Sequence, residues 1–188
     1  MRSGEPIRYP SAMAERTILV NRAPVLTLWA TIVAERFGFD QDEALSLGKA
    51  VAGLTAQSKG RRLGIYKPVS QEVKQARSRK RGEEFFVEVC GRQVPAINTA
   101  DGVRAVIKNK PIEARGAERY LESKFGESLE SVRAAMRGLA KAFRPEQLSE
   151  NAFALYERFR PAIPEGVTGW GAKGSLDIGR IESLAPQK

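Results

Sequence analysis

The chain has 188 residues, of which 42% are hydrophobic, and it carries a formal net charge of +9. It is therefore long enough to bury a core, and we expect any extended partner surface to be anionic. It contains no histidine and a single cysteine, Cys90. These counts exclude imidazole general bases, histidine metal sites and intrachain disulfides, and they favour a cytoplasmic protein that holds no metal or other cofactor.

Hydrophobic periodicity and turn residues divide the chain into six segments, which predict an α+β fold that is predominantly helical. The predicted order is an irregular N-terminal arm (1–20), a helical pair (21–57), a basic connector (58–83), an antiparallel three-stranded β-meander (84–110), C-terminal helices (111–163) and a glycine-rich tail (164–188). The six segments are also compatible with one compact domain.

The helical pair begins with an apolar run at residues 23–34, which is shorter than the roughly 20 residues that cross a bilayer. We therefore expect a buried helix there and no membrane association. Gly38 is suited to end this helix, and Asp40 with Glu43 three residues later is typical of a capping box. Small residues recur every four positions on the second helix, at Gly48, Ala52 and Ala56, and they predict close packing against another helix or in a homo-oligomer.

The same pair satisfies the helix-turn-helix pattern, with a small residue at Ala34 and the turn glycine at Gly38. A recognition helix presents its first residues to base edges between two phosphate chains. Here those residues are Asp40, Asp42 and Glu43, which phosphates would repel. Packing of two helices is therefore favoured over groove reading.

Alternating hydrophobicity around Phe85 and Phe86 predicts the first strand of the meander, and Asp101-Gly102 predicts a turn between later strands. One of the two adjacent phenylalanines should be buried, and the other should be exposed or lie under a helix. Apolar stripes then predict helices at 116–124 and 128–143 and a third that ends at Phe159. The tail is expected to form loop or short strand, because too little chain follows its G-x-G-x-x-G string at 169–174 for a dinucleotide-binding unit.

The basic connector holds nearly all of the excess positive charge. Between residues 58 and 81, nine basic residues accompany one acidic residue, Glu72. The nine are the candidate binding residues: Lys59, Arg61, Arg62, Lys67, Lys74, Arg77, Arg79, Lys80 and Arg81. Such a cluster can neutralise phosphates, so we expect a non-enzymatic nucleic-acid-binding protein that makes mainly backbone contacts, with DNA favoured over RNA. The alternatives are a solvated linker and a protein-interaction or oligomerisation module with an acidic protein partner.

No catalytic residue is predicted. Cys90 precedes Gly91 and Arg92, but without a histidine base a small structural residue is favoured over a reactive thiol. Paired carboxylates can do acid–base chemistry, and four glutamates surround the second Phe-Gly turn: Glu118, Glu122, Glu127 and Glu130. Their helical spacing is typical of a solvated face.

Overall fold

The computed structural model describes residues 16–57, 69–167 and 171–187, and its fold is α+β and predominantly helical, as the sequence predicts. The helices are α1 (Arg22–Phe37), α2 (Gln41–Gln57), α3 (Val69–Ser78), α4 (Ala114–Phe125), α5 (Leu129–Lys141), α6 (Pro145–Phe159) and α7 (Ile178–Ser183), with a 3₁₀ turn (Gly126–Ser128) between α4 and α5. The predicted C-terminal helices thus exist within two residues of their expected boundaries.

The strands form two antiparallel sheets. Their bounds are β1 (Thr17–Asn21), β2 (Phe85–Val89), β3 (Arg92–Thr99), β4 (Gly102–Ile107), β5 (Lys110–Pro111) and β6 (Lys173–Asp177). The larger sheet has the order β2-β3-β4-β5, and the smaller one pairs β1 with β6. The meander is therefore antiparallel as predicted, but it has four strands because the short β5 returns along β4.

Helix α1 lies at the centre of the molecule. Every residue from 24 to 34 is buried, and α2, α5 and α6 pack around them. The indole Nε1 of Trp29 donates a hydrogen bond to the Ala152 carbonyl oxygen at 2.8 Å, and its ring meets Phe159 edge to face at 5.3 Å. A helix that is apolar on all sides must be enclosed by other elements. The expectation of a buried helix is therefore confirmed.

Helices α1 and α2 approach each other most closely at Gly48. A Cβ atom added there would overlap the Thr31 hydroxyl oxygen and would lie 2.7 Å from the Thr27 carbonyl oxygen. The predicted close packing of the small-residue face thus occurs within the chain at this position. Gly48 is not available to a second copy, which removes one member of the predicted oligomer face.

The turn between α1 and α2 has the predicted chemistry. Gly38 adopts a left-handed φ of 116°, and the Glu43 backbone N–H donates to Asp40 Oδ1 at 2.8 Å. In return, the Asp40 N–H donates to Glu43 Oε1 at 3.0 Å, which completes the capping box. Residues 43–48 are all buried against α1 and the sheet. The exposed residues at the start of α2 are Asp40, Gln41 and Asp42, so the objection to groove reading stays one of charge.

Three segments differ from the sequence-based expectation. The irregular arm was expected to reach residue 20, but residues 17–21 form β1 by pairing with β6. The basic connector contains α3. The tail contains the expected short strand but also α7, whose first turn is capped because Asp177 Oδ1 accepts a hydrogen bond from the Gly179 N–H at 2.9 Å. All three elements are short and gain their stability from partners elsewhere in the chain.

The phenylalanine pair in β2 divides as predicted. Phe85 is buried, and the Phe86 side chain on the opposite face of the strand is 57% exposed. Gly102 follows the turn at Asp101 with a φ of 112°, a conformation that glycine adopts without strain. The period-2 pattern therefore predicted the strand and its two unlike faces, and the structure shows that the face of Phe85 is the buried one.

Candidate anion-binding surface

Five of the nine candidate binding residues lie in the described part of the chain. They are Lys74, Arg77, Arg79, Lys80 and Arg81, all exposed, and we call them the basic surface. They occupy the last two turns of α3 and the three residues that follow it. The other four, Lys59, Arg61, Arg62 and Lys67, lie outside the described residues.

The end of α3 is fixed to the sheet by Asn98 of β3. The Asn98 side-chain amide donates to the carbonyl oxygens of Ala76 and Arg79, at 2.6 and 2.8 Å. The Asn98 backbone carbonyl accepts from Gly82 N–H at 3.2 Å, and Arg81 forms an isolated β-bridge with the same residue. Carbonyls in the last turn of a helix have no partner within the helix. Asn98 supplies one, and it thereby holds the basic residues after α3 in place.

A concavity of about 440 Å³ lies between the end of α3, the start of α2 and the β3–β4 turn. Three members of the basic surface line it: Arg77, Arg79 and Arg81. The remaining lining residues are Asp40, Glu43, Asn98, Thr99, Ala100 and Gly102. The structure thus brings together three arginines that the sequence only placed near one another along the chain.

Glu43 forms the floor of this concavity, and its side chain is 3% exposed. Its Oε1 accepts from the Arg77 guanidinium at 3.1 Å as well as from the Asp40 N–H, and its Oε2 accepts from the Val103 N–H at 2.9 Å. A buried carboxylate needs such partners, because desolvating an unpaired charge is costly. Glu43 therefore connects α2, α3 and β4 at the base of the basic surface.

The other four cations of the basic surface differ from Arg77 in their surroundings. Within the described residues, Lys74, Arg79, Lys80 and Arg81 make no ion pair, whereas Arg77 pairs with Glu43. Exposed guanidinium groups carry several donors in a rigid planar array, which matches the oxygens of a phosphate or carboxylate. The surface therefore presents unpaired positive charge around a concave floor.

Sequence reasoning found the arginines but missed two residues that organise them. Asn98 carries no local signal, because it bonds to carbonyls 19 and 22 residues away. Glu43 was identified only as the capping partner of Asp40, and its bond to Val103 spans 60 residues. Neither contact can be read from spacing along the chain.

The cysteine and the glutamates that were considered for catalysis are buried, paired or solvent-exposed. Cys90 is buried in the turn after β2. Glu122, Glu127 and Glu130 are exposed, as expected of a solvated face, whereas Glu118 is half-buried; Glu118 and Glu130 each pair with Arg133 at 2.9 Å. The described residues contain no cluster of three or more cysteine and carboxylate side chains that could hold a metal ion. Residues 168–170, including Trp170 in the glycine-rich string, lie outside the described residues, as does Tyr66.

Among helices within residues 16–57, 69–167 and 171–187, none combines the length and hydropathy needed to cross a bilayer. Comparisons of the chain with protein-family models, with curated proteins and with solved structures found no match.

Proposed function

We propose that the protein binds nucleic acid non-enzymatically, by placing backbone phosphates on the basic surface. The supporting observation is the convergence of Arg77, Arg79 and Arg81 on one concavity, next to cations that make no ion pair with any other described residue. Phosphate contacts dominate non-specific affinity for nucleic acid and carry no sequence information. DNA is the expected partner, and affinity should depend weakly on base sequence.

The arginines have different roles in this proposal. Arg77 is held by Glu43 and by a longer contact of 3.4 Å to the Gly38 carbonyl oxygen, so it contributes mainly to the shape of the floor. In the part of the chain that the structure describes, no acidic residue pairs with Arg79 or Arg81, so their guanidinium groups can donate paired hydrogen bonds to phosphate oxygens. Lys80 lies between them in sequence and adds a charge without a planar fork.

The test is a salt titration of binding to a short labelled DNA duplex, followed by fluorescence anisotropy. If about four to six cations contact phosphates, the slope of log K against log salt should lie near −4 to −5. The triple variant Arg79→Gln/Lys80→Gln/Arg81→Gln removes unpaired charges and leaves Arg77 with Glu43. It should make the slope shallower by about 2 to 3 and remove most of the affinity at low salt.

The matched control is Arg115→Gln/Arg119→Gln/Lys173→Gln, which removes three exposed cations elsewhere and gives the same net charge. It should retain most of the affinity. Equal weakening by both variants would mean that overall charge, and not this surface, attracts DNA. If the wild-type protein bound neither duplex nor single-stranded nucleic acid at low salt, the proposal would be abandoned in favour of an acidic protein partner.

A further inference from the structure

A second cavity of about 440 Å³ opens between the first turn of α1 and the end of α6. Its apolar walls include Leu26, Ala52, Phe153 and Ile163. Its polar groups come from Arg22, Thr55, Tyr156 and Arg160, and none of its described lining residues is acidic. It shares no lining residue with the concavity of the basic surface.

Two positive charges face this cavity. The Arg22 Nε donates to the Pro161 carbonyl oxygen at 3.1 Å, which fixes the position of that guanidinium. Arg160 is exposed, and within the described chain it makes no ion pair. Burial and the positive charge of Arg160 both lower the pKa of Arg22. Two like charges at one cavity repel each other, and an anion placed with them would relieve that repulsion.

Neutral hydroxyl groups complete the polar part of the cavity. Burial raises the pKa of Tyr156 to about 12; Arg160 and Arg22 oppose this rise and the nearby Glu157 carboxylate adds to it, so the phenol is neutral at ordinary pH. Its hydroxyl donates a long hydrogen bond, 3.4 Å, to the Arg22 carbonyl oxygen. Thr55 Oγ1 accepts from Arg92 Nε at 3.2 Å, which leaves the hydroxyl proton of Thr55 available as a donor.

We propose that this cavity binds a small monocarboxylate with an apolar body. The carboxylate lies at the guanidinium groups of Arg22 and Arg160, and the hydrocarbon packs against Leu26 and Phe153. A planar guanidinium fork matches a carboxylate, and apolar walls with a few polar groups are typical of small-molecule sites of this size. The proposal is independent of nucleic-acid binding, because it involves a different set of residues.

Isothermal titration calorimetry of the full chain with octanoate tests the proposal. Octanoate should bind, and Arg160→Gln should weaken it at least tenfold. The matched control is Arg158→Gln, which changes an exposed arginine in the last turn of α6, two residues before Arg160, and should change the affinity less than twofold. Ala56→Leu fills the cavity while retaining every charge, and it should abolish binding. Thermal unfolding checks that each variant is folded. If the Ala56→Leu variant does not fold, the affinity of the Arg160→Gln variant decides the outcome.

Two further ligands separate the charge from the apolar body. Octan-1-ol lacks the carboxylate and inorganic phosphate lacks the hydrocarbon, so each should bind at least tenfold more weakly than octanoate. The proposal is overturned if octanoate does not bind at millimolar concentration. It is also overturned if Arg158→Gln and Arg160→Gln weaken binding equally, or if phosphate binds as tightly as octanoate.

Discussion

Replacing Glu43 with alanine should lower the free energy of unfolding by more than an ordinary surface substitution does, although Glu43 lies directly beneath an exposed surface. The change removes the acceptor of three hydrogen bonds, from Asp40 N–H, Val103 N–H and the Arg77 guanidinium. Val103 is fully buried, so its N–H would be left without a partner. An unsatisfied buried donor costs about 1–3 kcal/mol, and losing the capping bond to the Asp40 N–H costs about 1 kcal/mol more. We expect a loss of about 3–4 kcal/mol, a large fraction of the stability of an ordinary domain.

Two gentler substitutions separate the contributions to that loss. Glu43→Gln keeps the size of the side chain but replaces one acceptor oxygen with a donor, so it should cost about 1–2 kcal/mol. Arg77→Gln removes only the ion pair. Because the Arg77 side chain is 54% exposed, water can replace it, and the cost should stay below about 1 kcal/mol. The expected order of destabilisation is Glu43→Ala, then Glu43→Gln, then Arg77→Gln.

Urea denaturation followed by circular dichroism measures these differences as shifts of the midpoint at constant m-value. A Glu43→Ala variant that lost less than about 1 kcal/mol would refute the reasoning, because water would then be satisfying the Val103 N–H. So would an Arg77→Gln variant that lost as much as Glu43→Ala. In that case the ion pair, and not the backbone bonds, would be the main contribution of Glu43.

Two other predictions concern the core and the second cavity. Gly48→Ala should lower the free energy of unfolding by about 1–3 kcal/mol through overlap with Thr31, despite a helix-propensity gain of about 1 kcal/mol. At Gly138 on α5 an added Cβ meets no atom, so Gly138→Ala should raise stability. Equal gains of both variants in thermal unfolding would contradict the close approach of α1 and α2 at Gly48. Since Tyr156 has a pKa of about 12 when folded and near 10 when unfolded, its contribution to stability should be complete below pH 10 and fall by about 2–3 kcal/mol towards pH 12. Tyr156→Phe should lack that part of the fall in alkaline urea titrations, and an unchanged slope would contradict the raised pKa.

The helices that could be predicted from sequence are those whose signal is local. The apolar stripe of α5 and the capping box of α2 depend on residues three or four positions apart, and both occur as expected. Helix α7 was missed although Asp177 caps it, because six residues with a glycine inside carry little periodicity. Its formation depends on burying Ile178 and Ile181 in the core.

The candidate site was predictable in its charge but not in its arrangement. A dense run of cations identifies itself in the sequence, whereas its attachment to the sheet through Asn98 depends on tertiary packing. The glutamates of α4 and α5 illustrate the converse. Glu118 and Glu130 have the spacing of solvated residues, but they enclose Arg133, whose side chain is only 9% exposed. Spacing cannot distinguish a free charge from one that neutralises a buried partner.

The pairing of β1 with β6 has a consequence during protein synthesis. The two strands lie about 150 residues apart in sequence, and chains grow at about 5–20 residues per second, so β1 waits about 8 to 30 seconds for its partner to be made. During that interval the hydrogen-bonding edge of β1, including Leu19, which is 72% exposed even in the finished fold, is open to other nascent chains. Slow translation between the two strands would lengthen this exposure. A chaperone bound at residues 17–21 during that interval would cover the edge of β1.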